Sequence, residues 1–359
     1  LLEQNYRSTQ TILEGAYYVI AVNQKRKETN LWTDNIKGTP ITMAEAYTEH
    51  DESQSVAREI ERLTQTENYK LWDIAVMYRT NAQSRVIEES FLRYGIQYRL
   101  VGGTRFYERR EVKDIISYLR LVLNPYDSVS LLRVINMPNR GIGQKTLDTM
   151  VMWAQQLGVP PYTALQLLSN EQNNPKEDQK HTFTPRAAAA LTNFLDLIND
   201  LIDQSKSLDV VQLISTIADR TGYRDHLLAG EENGQDRWEN VLELRSVATE
   251  YRDLPPEEGL SMLLEGVALV SDTDDLDQKA NAVTLITLHQ SKGLEYPVVF
   301  IVGLEEGILP HRRSLDDPDQ MEEELRRRQE AHGLSLVAVG AAGPDGIRNF
   351  ADNLISRFA

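Results

Sequence analysis

Cysteine is absent from this 359-residue sequence, which excludes disulfides and thiolate metal sites and fits a reducing, cytoplasmic setting. Histidine is scarce, and the six present stand at no metal-ligand spacing, so no metal site is expected within the chain. No apolar run nears the ~18 residues that cross a membrane. The opening LLEQNYRSTQ has neither a basic start nor an apolar core, so it does not read as a secretory leader. It also lacks an initiator Met and reads as the start of a fragment. No Gly-Lys-Ser or Gly-Lys-Thr occurs, so the phosphate-binding loop G-x-x-x-x-G-K-[ST] is missing. Positive charge is in deficit. With 38 Lys and Arg against 54 Asp and Glu the net charge is −16, which argues against a protein that coats nucleic acid over its whole surface.

What is present reads as globular. At 41% hydrophobic residues the chain can bury real cores, and its length suits two domains. The mean charge also hides a local reversal. Residues 79–110 hold seven Arg, three Glu and no Lys, a net of +4. A charge run of this kind is ordinarily a solvated face. Arg interleaved with Tyr94, Tyr98, Phe106 and Tyr107 is also the composition that meets phosphates and bases.

Periodicity divides the chain. Ser8 or Thr9 can cap a helix carrying Leu13, Tyr17 and Ile20 at helical spacing. Strands are expected at 40–46, 73–78 and 96–101, with helices at 53–63 and from the loop 79–84 to about Tyr94. Strands alternating with helices predict a parallel, doubly wound sheet. From Arg110 to about Gln278 the expected elements are all helical, at 112–123, 129–135, 144–156, 186–203, 210–219, 237–251 and 259–270. Residues 169–184 (SNEQNNPKEDQKHTFT) read as an exposed or disordered loop. At Val283 the β-rich pattern returns, so the helical block reads as an insertion into an α/β domain.

Two stretches have the composition of sites. Residues 283–287 and 297–302 are short β-branched runs bracketing His289-Gln290-Ser291-Lys292-Gly293-Leu294-Glu295. Polar residues between buried strands sit where α/β proteins keep their chemistry, although a solvated loop has the same composition. Inside the helical block, Arg140-Gly141-Ile142-Gly143-Gln144-Lys145 places two glycines at a helix start, where backbone N–H groups can meet a phosphate. A Gly-x-Gly turn is equally an ordinary tight connector.

In order along the chain, Gln4-Asn5-Tyr6-Arg7-Ser8, Tyr78-Arg79-Thr80-Asn81-Ala82-Gln83-Ser84-Arg85, Arg140-Gly141-Ile142-Gly143 and Thr287–Glu295 (TLHQSKGLE) resemble the C-terminal half of the UvrD/PcrA/Rep group of superfamily 1 DNA helicases. The similarity runs from Leu1 to about Glu324. It implies an α/β fold with the parallel sheet of a RecA-like, P-loop-NTPase-type second motor domain, at 1–109 and 280–359. An all-helical subdomain of the kind called 2B interrupts it at 110–279. It also implies roles. Tyr6 would stack on adenine and Arg7 meet the γ-phosphate, with Gln4, Gly293 and Glu295 completing the nucleotide side. Arg79, Asn81, Arg85, Thr287 and His289 would line a single-stranded DNA track. Arg140, Gly141, Gly143 and Lys145 would touch duplex at a junction. The implied activity is ATP-dependent 3′→5′ unwinding, with Mg²⁺ and the phosphate loop supplied by a first motor domain that this chain lacks. The isolated chain is therefore expected to hydrolyse no ATP.

The sequence departs from the family after Glu322-Glu323-Glu324. No Thr-Arg-Ala turn carrying an arginine finger follows, and 325–352 is atypical, reading as a shifted frame, a decayed copy or a divergent segment. Such a finger is worth roughly 10³ to 10⁵ in rate in related phosphoryl transfer. Two alternatives stand beside the motor half. One is a non-catalytic DNA-binding or partner-docking module derived from a helicase. The other, more distant, is the helicase subunit of a recombination nuclease. Repair, replication restart and plasmid replication all use motors of this pattern.

Overall fold

A computed structural model of the chain describes residues 4–6, 8–20, 32–173, 183–229, 233–272, 281–291, 294–305, 308 and 335–341. The chain forms two compact units, Leu1–Arg105 with Asp275–Ala359, and Phe106–Asp274. No described helix is long and apolar enough to cross a membrane.

The first unit is α/β. Helix α1 (Gln10–Ile20) precedes β1 (Thr42–Ala46), α2 (Glu49–Thr66), β2 (Ile74–Tyr78), α3 (Ser84–Tyr94) and β3 (Tyr98–Leu100). Strands β4 (Val283–Thr287), β5 (Val298–Ile301) and β6 (Ser335–Ala341) complete it after the second unit. All six strands are parallel, in the order β1-β6-β5-β2-β4-β3. Every residue of β2, β4 and β5 is buried, whereas the edge strand β1 is largely exposed. That is why the central strands read as unbroken apolar runs: a parallel strand covered on both faces has no polar side to alternate with. Alternation decides only which core receives each side chain. Ile74, Val76 and Tyr78 join Val56 and Ile60 of α2 and Ile87 and Phe91 of α3. Ala75 and Met77 turn the other way, with Ile286, Val299 and Ile301. Helix α2 starts where Thr48 Oγ1 accepts the N–H of Asp51, and Glu49, Asp51 and Glu52 place negative charge in its first turn.

Strand β6 lies within the stretch read as atypical, and its pairing with β1 and β5 was not expected from the sequence. The remainder of 325–352 lies outside the described residues.

The second unit is helical: α4 (Arg110–Leu123), α5 (Ser128–Val134), α6 (Gln144–Leu157), α7 (Pro161–Asn173), α8 (Pro185–Ser205), α9 (Val210–Arg220), α10 (Tyr223–Leu228), α11 (Gly234–Ala248) and α12 (Pro256–Asp272). Helix α7 extends into the predicted loop at 169–184, of which 174–182 are not described. Helix α4 is buried on nearly every side, packing against α5, α8, α9, α11 and α12. Polar groups inside it therefore need partners. Asp114 accepts from Arg133 Nε (2.8 Å) and the Tyr223 hydroxyl (2.8 Å). Asn240 joins Glu111 Oε1 (2.6 Å) to Arg109 Nη1 (2.7 Å). The N-caps Asp127, Thr184 and Asp209 start α5, α8 and α9.

Burial pushes the Tyr118 phenol from 10.0 up to about 12, against the opposing pull of Arg140. Burial, reinforced by Asp114, raises Tyr223 as well. A phenol with a raised folded pKa stays protonated after its unfolded counterpart has ionised, so it contributes stability below pH ~10 that is lost as pH climbs through the folded value. For Tyr118 the loss reaches roughly 3 kcal/mol by pH ~12. The helical unit's unfolding temperature, followed by Trp153 and Trp238, is expected to be level up to pH ~10 and to fall steeply above it. A level profile through pH ~12 would contradict this.

Candidate functional site

Three central strands end at one edge of the sheet, and the loops leaving them meet there. Beyond the strand ends the ladder continues through Leu288 N–H to Tyr78 O (2.9 Å) and Val302 N–H to Met77 O (3.0 Å). Arg79 follows β2 directly, and Thr287 ends β4. A single helical turn then forms, with the N–H groups of Gln290 and Ser291 donating to Thr287 O (3.0 and 3.1 Å). This turn lifts His289 into solvent, with its Nδ1 3.4 Å from Arg79 Nη1. A guanidinium beside an exposed imidazole at the carboxyl end of a parallel sheet is a ready anion-facing surface.

Two amide side chains hold these loops, and the sequence reading had singled out neither. Gln83 Oε1 accepts the backbone N–H of both Arg79 and Thr80 (2.9 Å each), fixing the loop that carries Arg79 and Asn81. Its Nε2 lies 1.9 Å from where a β-carbon on Gly303 would stand. Gly303 in turn donates its N–H to buried Glu52 Oε1 of α2 (2.9 Å). Thus one glutamine fixes the loop after β2 and packs closely against Gly303 in the loop after β5. The second, Gln290, donates to Gly102 O (3.3 Å) and joins the turn after β4 to the end of β3. The signal for Gln83 was its place three residues after Thr80, the spacing of a capping box, which the structure shows. Below Gly303 lies a small cleft lined by Glu49, Glu52, Ser53, Gln83 and Glu305. Burial first, then the neighbouring Glu49, raises the Glu305 carboxyl above its usual range.

The structure separates the expected single-strand residues. Arg79 and Asn81 are half-buried and His289 is exposed, all at the sheet edge. Thr287 is 7% exposed, so its side chain belongs to the wall beneath. Arg85 departs from expectation. It is 2% exposed, and its guanidinium is committed to Glu89 (2.9 Å) and Glu49 (3.4 Å). A buried guanidinium satisfied by two carboxylates ties α3 to α2 and is withheld from any polyanion.

At the N-terminal end, Gln4 bridges to Trp32, and the Asn5 N–H donates to Trp32 O (2.7 Å). Asn35 Nδ2 donates to the carbonyls of Tyr6 (3.1 Å) and Ser8 (3.0 Å). The backbone is thereby pinned while the Tyr6 ring remains 77% exposed, with its hydroxyl donating to Gln4 Oε1 (2.5 Å). Gln4 Nε2 donates to Asp34 (2.9 Å). Glu295 is exposed just beyond the turn after β4. Arg7, Lys292 and Gly293 lie outside the described residues. Among the described residues, no group of three or more His, Cys, Asp or Glu is placed to hold a metal ion.

In the helical unit, Asn136 Oδ1 accepts the N–H groups of Arg140 (2.8 Å) and Ile142 (3.1 Å), and Asn139 Oδ1 accepts that of Gly141 (2.9 Å). Three backbone N–H groups, that of Gly141 among them, are therefore spent inside the turn. Gly141, Gly143 and Lys145 are exposed, and α6 starts beside them.

The model of the UvrD-like helicase C-terminal domain matches residues 1–328. The chain is 44% identical over 333 residues to the ATP-dependent DNA helicase PcrA of Bacillus subtilis, covering 91% of this chain and 44% of the relative. It is 40% identical over 332 residues to PcrA of Staphylococcus aureus, covering 90% and 44%. It is 41% identical over 342 residues to UvrD1 of Mycobacterium bovis, covering 91% and 43%. The chain thus spans less than half the length of these relatives.

Proposed function

Because the chain belongs to the UvrD-like helicase C-terminal domain family, we propose that it supplies the second RecA-like motor domain and the 2B insertion of an ATP-dependent 3′→5′ DNA helicase. The observation that carries this reading is the convergence of Arg79, Asn81 and His289 where β2 and β4 end. That edge would track the backbone of single-stranded DNA, with Arg79 providing charge and His289 a polar, stackable ring. Thr287 shapes the wall beneath them. Arg85 takes no part in contact and instead anchors α3. The exposed turn at Gly141, Gly143 and Lys145 would meet duplex phosphates at a junction.

The Tyr6 ring fits a purine, since its flat face is open and its hydroxyl is held by Gln4. Arg7, Glu295 and Gly293 complete the nucleotide side in this reading, with Mg²⁺ held by ligands from a first motor domain. ATP, when bound, would supply the free energy of phosphoryl transfer. The residues of this chain bind and orient it and couple its presence to the loops at the sheet edge. A protein of this kind would work in the cytoplasm.

Single-strand binding, measured by fluorescence anisotropy across a salt series, tests the track. Arg79→Ala is expected to weaken affinity about tenfold and to reduce the salt slope by about 0.7, the loss of one single-strand phosphate contact. Unchanged affinity and slope would remove the track from this edge. The nucleotide side has its own test in the chain joined to the amino-terminal portion of the B. subtilis relative. There Tyr6→Ala is expected to weaken ATP-analogue binding at least about tenfold, while Tyr6→Phe preserves it, because stacking needs the ring and not the hydroxyl. Equal losses in both variants would contradict stacking.

A further inference from the structure

Arg140 stands at the head of the Gly141–Gly143 turn, yet its guanidinium points into the protein. Nη1 donates to the carbonyls of Val134 (3.0 Å), Pro138 (3.1 Å) and Ile135 (3.4 Å). Nη2 donates to the Tyr118 hydroxyl (2.8 Å) and, more distantly, to Thr221 O (3.5 Å). The planar group also lies over two rings, 5.6 Å from the centroid of Phe194 and 6.0 Å from that of Tyr118. Val134 ends α5 and Thr221 caps the end of α9, so the cation is lodged between two helix C-termini, where backbone carbonyls concentrate partial negative charge. No carboxylate is needed. The Tyr118 hydroxyl extends the same system by donating to Met137 O (2.5 Å), within the segment that leads into the turn.

We propose that Arg140 is a positioning residue that holds the duplex-facing turn in place from inside the helical unit and does not itself contact DNA. The inference rests on the reading of Gly141, Gly143 and Lys145 as the duplex contact. A guanidinium is suited to the task because it offers five N–H groups in one plane and stacks on rings. A lysine ammonium carries the same charge but only three donors and no plane, so it cannot replace this set. With its charge already satisfied internally, Arg140 displaces no counterions from DNA. The charge that does so at this turn is that of exposed Lys145.

Two readouts on the full chain test the assignment: hydrogen exchange of the amides of residues 139–145, and binding of a single-strand/duplex junction across a salt series. Arg140→Lys and Arg140→Gln are both expected to speed turn exchange at least about tenfold and to weaken junction affinity without changing the salt slope. Tyr118→Phe removes the hydroxyl that accepts from Arg140 and donates to Met137 O, and is expected to raise exchange about threefold, which keeps the test open should the Arg140 variants fold poorly. Lys145→Ala should leave exchange unchanged and lower the slope by about 0.9. Wild-type behaviour of Arg140→Lys would overturn the proposal, as would a slope lowered by about one in Arg140→Gln with the turn still protected. A loosened turn in the Arg140 variants with an unaltered slope in Lys145→Ala would refute the duplex reading and leave the internal role of Arg140 standing.

Discussion

Gly303→Ala is expected to destabilise the α/β unit by about 3 kcal/mol and to weaken its single-strand binding about tenfold. Gly303 has φ +68°, a conformation in which an added β-carbon costs about 1–2 kcal/mol by itself. That carbon would stand 1.9 Å from Gln83 Nε2. Glutamine is flexible, but this amide is not free to swing, because its other end accepts the N–H groups of Arg79 and Thr80. Moving it breaks both bonds, at about 1 kcal/mol each, and releases the loop that carries Arg79 and Asn81. Denaturation followed by Trp32 and Trp72 should show an unfolding temperature lower by roughly 6–12 °C. Gln83→Ala removes the clash but not the backbone strain, so Gly303→Ala should cost less in that background than in the wild type. Equal costs in both backgrounds would show that the packing of Gln83 against Gly303 has no energetic content.

The strands at this edge were legible because a strand buried on both faces announces itself by continuous β-branched composition. Residues 283–287 were read with the bounds the structure shows, and 40–46, 73–78 and 96–101 differ from it only at their ends. Most helices of the second unit were equally plain from their apolar spacing. Helix α10, six residues long, is too short to show a period, and α7 was masked by the polar tail that follows it. Strand β6 was missed for another reason. Its residues 335–341 (SLVAVGA) are apolar enough, but they lie in a segment whose sequence departs from the family, with no neighbouring motif to mark a strand there.

Asp114→Ala carries the largest expected cost in the helical unit, about 3–4 kcal/mol. The carboxylate is 2% exposed and is the joint acceptor of Arg133 on α5 and Tyr223 on α10. Arg133 keeps about a third of its side chain in solvent and can rehydrate. The Tyr223 hydroxyl, on a residue 1% exposed, cannot. Its orphaned donor accounts for most of the penalty. The helical unit's unfolding temperature should fall by roughly 6–16 °C. The change should also move the alkaline limb. Burial raises the Tyr223 phenol first, and the Asp114 charge and hydrogen bond raise it further. Removing Asp114 therefore brings its ionisation nearer to the ordinary range, so the loss of stability attributable to Tyr223 still begins near pH ~10 but ends sooner and is smaller. Asp114→Asn keeps an acceptor for Tyr223 and should lose markedly less. If Asn were as damaging as Ala, the charge on Arg133 rather than the phenol would govern the site.

Within the candidate sites, residue type was legible and burial was not. Arg79, Arg85 and Arg140 look alike in a sequence, each an arginine in a polar stretch. The structure gives them three different fates. Arg79 reaches the sheet edge beside His289. Arg85 is closed off by Glu89, four positions on, together with Glu49, 36 positions earlier in the chain, and no local pattern announces a partner at that second distance. Arg140 is drawn inward by carbonyls that exist as acceptors only once α5 and α9 have ended where they do. Gln83 and Gln290 were passed over because an amide carries no charge and no reactive atom. Their importance lies in satisfying backbone groups that only the fold exposes.

The central claim is that the Arg79–His289 edge and the Tyr6 face belong to one nucleotide-driven DNA motor. Its most direct test is single-strand affinity in the chain joined to the amino-terminal portion of the B. subtilis relative, measured once with a non-hydrolysable ATP analogue and once with ADP. Coupled sites require the two affinities to differ by at least about fivefold, with Tyr6→Ala erasing the difference and Arg79→Ala weakening both. This readout does not depend on the arginine finger whose motif is absent from the sequence. Equal affinity with either nucleotide, in a protein still weakened by Arg79→Ala, would contradict the motor and describe a module that holds DNA without responding to ATP.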